Sequence, residues 1–550
     1  MLLVLPRVHI LADPPYFDAQ GVWSEADYLY ETKFDYRSLL LEEDSGDIGG
    51  IRVYFTVLPP TVLAWARSMG ASPSVTLIGY RLFVLTCAAV TWGVMYYVLS
   101  RRQGVRIALL ATAATASLPL ISAQSEIPNT EMPMTSALSL ALLFFSQGSI
   151  GKLMACLIAA FAMKNSALLA TFASGIAFLF LHVSARIGRD ANARRWSLKG
   201  MLACAGLLVL ELAVLYFSAA MNERISVPVI YLLTHYLWIY CAPEILFAFV
   251  LMCILLARAL GRRGLLRWVE SEVDEPFHRR VCIHSVLLAG TSICAMFLMP
   301  YHPRYATSAI PFIVIAIFYL LPRLTSRAWI TEGILVSMTL VNLVNSHGWL
   351  YWPLPEVLTR NPTYNERSLE YRRELKAHQE AIVRVSAVNA DTPVIATETF
   401  STSISAPALG FVTRALNGYT TVPGRRPPLK PFLKILEDRP PAIAVIRLDD
   451  PLRNDDHVSF PMPGPGDEVL FNDGQPKPLI VYIKRFTKDQ THEQWFVSLL
   501  TQEPPALAVR WCLDHERSDL ARLILEQHLL KRPDDTDARR LLQGLDSSSR

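Results

Sequence analysis

No Cys-x-x-Cys pair occurs in this 550-residue sequence, and seven of its eight cysteines (87, 156, 204, 241, 253, 282 and 294) fall in apolar stretches. Neither a zinc site nor a disulfide framework is supported by that usage. No internal repeat is visible, which weighs against transporter architectures built from duplicated halves. Positive charge is scarce in a patterned way: one set of alternate short loops holds only Lys164, Arg224 and Arg304, whereas the other holds seventeen Lys and Arg. The net charge of +4 is therefore a record of topology and not a nucleic-acid footprint.

What the sequence has in abundance is apolar length. A hydrophobic content of 52% and a mean hydropathy of +0.29 are too high for a soluble chain of this size and point to a polytopic membrane protein. Ten spans are expected near 77–99, 105–123, 132–147, 150–163, 165–182, 198–220, 236–257, 281–299, 305–322 and 328–346. The run from Ile150 to Leu181 is too long for one helix and is divided at Lys164-Asn165-Ser166. The arginine-rich loops are expected in the cytoplasm, which turns the loops around Glu126, Lys164, Arg224 and Arg304 outward.

The chain is expected to divide into an N-terminal segment with an acidic outward loop (1–75), a transmembrane domain (76–346), an extracytoplasmic α/β domain (347–490) and a helical C-terminal segment (491–550). The opening MLLVLPRVHILA is short of the ~20 residues that cross a bilayer and reads as a partial span, a poor signal sequence or an interfacial segment. Asp13–Gly50 reads as a long polar loop, and Ile51–Met69 as a stretch lying along the interface. Beyond the spans, 364–388 has helical periodicity, 393–398, 442–448, 468–472 and 479–486 read as strands, and 431–437 as a short helix. After Gln494 the pattern is helical, ending in a pair with tetratricopeptide-like spacing.

Several polar residues stand out against this background. QSEIPNTEMPMT (124–135) puts Glu126 and Glu131 between two apolar runs, either as helix caps beside Pro128 and Pro133 or as functional carboxylates. Arg304 sits beside His302 and Tyr305, where a guanidinium can grip phosphate oxygens with two prongs or simply snorkel to water. Lys164 offers a point charge for phosphate, and Arg81 a third cation or an anchor. Glu25, Asp27, Glu31 and Asp35 crowd a segment with Trp23, Tyr28, Tyr30 and Tyr36, a combination that suits a general base with sugar-stacking walls as well as a solvated acidic loop. Glu211 lies inside a span, as a functional acid or as a hydrogen-bond partner of a neighbouring helix.

An acidic outward loop ending in ADYLY, then GYRLFVLTCAAVTWGVMYYVLSRR, SLPLISAQSEIPNTEMPMTSALSLALLFF, AAFAMKNSALLATF and PYHPRYATSAIPFIVI follow one another over residues 20–325. In their order and spacing they resemble the GT-C superfamily of membrane glycosyltransferases, in particular the protein O-mannosyltransferase and lipid A aminoarabinose transferase group. The resemblance implies a polyprenyl-phosphate sugar donor, sugar transfer on the extracytoplasmic face of the cytoplasmic membrane, an aspartate in the first outward loop as general base, and basic residues as the phosphate site. Two departures accompany it. Members begin with a complete first span where this chain has a fragment, and the family's Asp-Glu pair, counted back from Tyr28, falls on Ser24 and Glu25. Glu25 or Asp27 is then the expected catalytic carboxylate, with Arg304, Lys164 and Arg81 at the donor phosphate and Glu126, Glu131, His302, Tyr305 and Tyr28 in support. No cofactor is called for; a divalent metal and the acceptor, whether lipid, glycan or protein, stay open. A degenerate GT-C-fold scaffold and a membrane transporter are the alternatives.

Overall fold

The computed structural model describes residues 19–36, 57–125, 129–217, 243–263, 276–298, 307–321 and 328–347. In the C-terminal part it describes 379–388, 392–396, 418–420, 437–448, 466–474, 479–486 and 517–548, with a few short pieces between them. The chain divides into two compact units, Met1–Glu374 and Leu375–Arg550.

The first unit is helical. Its elements are α1 (Ala19–Glu31), α2 (Leu58–Ser68), α3 (Pro73–Gln103), α4 (Val105–Ala116), α5 (Pro119–Gln124), α6 (Glu131–Gln147), α7 (Ile150–Met163), α8 (Leu168–Ile187), α9 (Ala191–Phe217), α10 (Pro243–Arg263), α11 (Pro276–Leu298), α12 (Ile310–Leu320) and α13 (Ala328–His347). Among the described residues, Pro73–Gln103, Asn165–Ile187 and Ala191–Leu215 are long and apolar enough to cross a membrane, and shorter apolar helices accompany them. Helices of this kind make the chain an integral membrane protein.

Two expectations are corrected here. The segment read as a long polar loop contains α1, because Val22, Glu25, Ala26 and Leu29 recur at helical spacing and form a buried stripe packed on α2. The span expected over 105–123 is broken: Pro119 has no N–H to continue the ladder, so α4 stops at Ala116 and α5 begins afresh. Thr115 and Ser117 turn their hydroxyls back onto the carbonyls of Ala111 and Ala114, as polar side chains at a helix end do.

Capping explains the other boundaries. Ser72 accepts the Val75 N–H ahead of Pro73 at the start of α3. Gly148, at φ +81, ends α6 in the left-handed conformation and turns the chain back into α7. At this end of the bundle Trp196 donates its indole N–H to the Gly148 carbonyl at 2.8 Å, and Arg280 lies 4.1 Å above the Trp196 ring. Arg101, in the last turn of α3, lies near the rings of Tyr97 and Phe277. These contacts gather the C-terminal ends of α3 and α6 with the N-terminal ends of α9 and α11. The N-terminal ends of α3 and α6 and the C-terminal end of α7 consequently lie at the opposite pole.

The second unit carries a five-stranded mixed sheet of β1 (Val394–Ala396), β2 (Gly418–Thr420), β3 (Ala442–Leu448), β4 (Glu468–Asn472) and β5 (Leu479–Arg485) in the order β2-β1-β3-β5-β4. The β1 pairings are parallel, and those of β5 with β3 and β4 are antiparallel. Ile443 and Val445 face one core with Ile480 and Tyr482, and Ala444 and Ile446 face another with Val481 and Ile483. That alternation is why AIAVIRL and LIVYIKR are apolar at nearly every position. Residues around 381–385 cover one face, while α14 (Ser518–Lys531) and α15 (Thr536–Ser548) contribute Leu520, Ile524 and Ala538 to the core on the other.

Candidate functional site

Glu131 opens α6 and Lys164 closes α7. Because α6 and α7 form a hairpin about Gly148, residues 33 apart in sequence meet at the pole opposite the arginines. The Lys164 ammonium lies 2.5 Å from Glu131 Oε1, and the two side chains are only 3% and 2% exposed. Lys164 reaches this place because its backbone is extended (φ −162°, ψ 132°) between α7 and a single 3-10 turn at Asn165–Ala167. Glu131 is held at the positive end of its helix, and its own carbonyl accepts the Thr135 hydroxyl at 2.7 Å. Removing two charges from water is expensive, and their close contact offsets that cost. Lys164 is thus neither a snorkelling residue nor a solvent-facing point charge.

Two other elements converge on this pair. Tyr80, in the second turn of α3, donates its hydroxyl to the Asn129 carbonyl at 3.2 Å, tying that helix to the loop before Glu131. Its neighbour Arg81 is 2% exposed, so it lies inside the bundle and is no interfacial anchor. The backbone N–H of Val57, at the head of α2, donates to the carbonyl of Ala162, two residues before Lys164.

The expected catalytic carboxylates both stand on α1. Glu25 sits on the buried stripe of α1 and is 7% exposed. Asp27 is ion-paired with Arg67 near the far end of α2, with the two side chains 17% and 15% exposed. Arg67 also lies 4.4 Å over the Tyr30 ring, and partial burial lowers its pKa. Tyr28 is half-buried beside them. Val57 and Arg67 are ten residues apart on one helix, so about 15 Å of helix axis separates the Asp27 pair from the contact beside Lys164. Glu126, Arg304, His302 and Tyr305 lie outside the described residues.

Deeper in the bundle, Thr171 of α8 donates to Glu211 Oε1 at 2.9 Å, and Ser174, one turn on, is 2.9 Å from His284 Nε2 of α11. Glu211 is thus hydrogen-bonded to a neighbouring helix. Among the described residues no three His, Cys, Asp or Glu side chains come together as metal ligands would. The partnership of Asp27 with Arg67, and the part played by Tyr80 and Asn129, went unread in the sequence. The 3.6-residue recurrence of Val22, Glu25, Ala26 and Leu29 was the available signal for α1 and hence for what its polar face could meet.

No family model matches the chain, and no curated protein does. Among solved structures, the fold is similar to ArnT from Cupriavidus metallidurans bound to undecaprenyl phosphate, with a TM-score of 0.47 and 13% identity over 88% of this chain and 97% of that one. The apo state of the same protein gives a TM-score of 0.44 and 14% identity over the same shares.

Proposed function

We propose that the chain is a GT-C-type glycosyltransferase that moves a sugar from a polyprenyl-phosphate donor to an acceptor on the extracytoplasmic face. The observation that carries the reading is the buried Glu131–Lys164 pair at the pole opposite the arginine-rich one. The excess of arginine marks its own pole as cytoplasmic, which turns the Glu131–Lys164 pole outward. A carboxylate and a cation are the two groups that displacement at an anomeric carbon needs, one for the acceptor proton and one for the departing phosphate. Among the described residues Glu25, Asp27 and Glu131 are the candidate carboxylates for the first task; Lys164 and Arg81, with Arg304, are the candidate cations for the second. In this reading the Leu375–Arg550 unit, which follows the last expected span, is extracytoplasmic.

The test is sugar transfer by the full-length protein in membranes supplied with a panel of labelled polyprenyl-phosphate sugars. Transfer from at least one donor, with release of the polyprenyl phosphate, is expected. Absence of transfer from every donor, in a preparation whose folding is verified, returns the chain to the scaffold reading.

A further inference from the structure

Lys164 cannot serve a phosphate and Glu131 at once. Its ammonium is 2.5 Å from a carboxylate in a site almost closed to water, and a second anion brought against the same nitrogen meets that carboxylate's charge at low dielectric. From this contact, and resting on the donor-site reading above, we infer that the pair is a ligand-exchange switch: the donor phosphate displaces Glu131 from Lys164, and the freed Glu131 is the base that takes the acceptor proton.

The exchange accounts for features that a static salt bridge leaves idle. Glu131 stands at a helix start, where backbone N–H groups stabilise its negative charge once the ammonium is engaged elsewhere. Lys164 stands on an extended residue between two helical segments, so its side chain can turn without either helix breaking. Before the donor binds, Glu131 Oε1 is occupied by the Lys164 ammonium, which guards against activating water in place of the acceptor. In the reaction the acceptor O–H proton passes to the Glu131 carboxylate as the acceptor oxygen bonds to the anomeric carbon. The bond from that carbon to the phosphate oxygen breaks, and its electron pair stays on the phosphate beside the Lys164 ammonium. Glu131 then yields its proton to water and pairs again with Lys164 when the polyprenyl phosphate leaves. Asp27, by contrast, is paired with Arg67 at the other end of α2.

The signature is opposed effects on binding and turnover. Full-length protein in nanodiscs is titrated with a polyprenyl monophosphate, with the matching polyprenol as control, and sugar transfer is measured on the same samples. Glu131→Gln is expected to bind the phosphate roughly tenfold more tightly, because no competing carboxylate has to be displaced first. Its turnover is expected to fall by about 10²–10⁴, the usual worth of a general base. Glu131→Asp keeps the carboxylate but loosens the contact; it should bind modestly more tightly than wild type and retain turnover to within about tenfold. Weaker phosphate binding in either variant makes the pair a structural brace and overturns the inference. Turnover kept in Glu131→Gln overturns the assignment of the base. If wild type itself does not prefer the phosphate over the polyprenol, the donor-site reading fails, and this inference with it.

Discussion

At one pole of the bundle the cations lie against rings and carbonyls; at the other a cation lies against a carboxylate. Arg280 rests on Trp196 and donates to the Ser146 carbonyl at 3.3 Å, and Arg101 lies near Tyr97 and Phe277. None of these contacts asks a negative charge to leave water, and each guanidinium lies near an aromatic ring. Lys164 and Glu131 are both nine-tenths or more buried, so removing either takes a close counter-charge from the other in a poor solvent. The first arrangement fastens helix ends at low risk. The second is costly to hold in the absence of a use for it, and so the search for function belongs at the Glu131 pole.

The largest expected effect breaks the comparison directly. Lys164→Ala should lower the stability of the bundle by about 3–5 kcal/mol, because the buried Glu131 carboxylate loses its close ammonium partner. Arg67→Ala, which breaks an ion pair on the partly exposed α1–α2 surface, should cost about 1 kcal/mol or less. Replacing both partners, as Glu131→Leu with Lys164→Met, should restore most of the stability, since a buried pair exchanged for apolar side chains is often neutral. Thermal unfolding in detergent, followed by fluorescence, reads all three. Equal losses for Lys164→Ala and Arg67→Ala would erase the distinction between the two pairs.

At the arginine pole the expected effect is smaller and of another kind. Gly148 has φ +81, and a Cβ added there would come within 2.7 Å of Arg280 Nη1. Gly148→Ala therefore carries about 1–2 kcal/mol of backbone strain and a crowding that Arg280 can relieve only by giving up its seat on Trp196. Thermal stability should fall by that amount while phosphate binding at the far pole stays near wild type. A matching loss of phosphate affinity would mean that the two poles are coupled through the α6–α7 hairpin.

Much of the scaffold was legible in the sequence because it depends on local rules. The break at Lys164-Asn165-Ser166 was readable from apolar length, and the strands at 442–448 and 468–472 from their bounded apolar and β-branched runs. The interruption at Pro119 followed from a local rule too, yet the apolar run around it masked the proline's effect. Pairing is a different matter. Glu131 and Lys164 each stood out alone, but that they touch depends on a hairpin closing over 33 residues, and no spacing in the chain encodes it. Asp27 shows the converse: its acidity was plain, while its partner Arg67 comes from a helix that the sequence reading left as an interfacial stretch. Glu126, Arg304, His302 and Tyr305, also singled out from the sequence, fall outside the described residues.

The smallest expected effect carries the comparison into the second unit, where an acid again stands at a helix start and meets a base, the acid now partly exposed. Asp535 caps α15: its Oδ1 accepts the N–H groups of Asp537 and Ala538 at 3.1 and 3.0 Å, and its Oδ2 is 2.9 Å from His528 Nε2 of α14. The backbone bond from Ala538, then the contact with His528, hold its carboxyl below the usual aspartate range. A carboxyl lowered on folding adds stability that is present above the unfolded pKa, about 4, and lost as the pH falls through the lower folded value. The expected outcome is a loosening of the α14–α15 turn below about pH 4. Hydrogen exchange of the peptide spanning 532–545, normalised to intrinsic exchange rates, follows it. Asp535→Asn retains a capping oxygen without a titrating group, so its protection should be slightly lower than wild type near neutrality, and the difference should close as the pH drops. A difference that persists unchanged at low pH would mean that the cap acts through shape alone and that the charge of Asp535 contributes nothing.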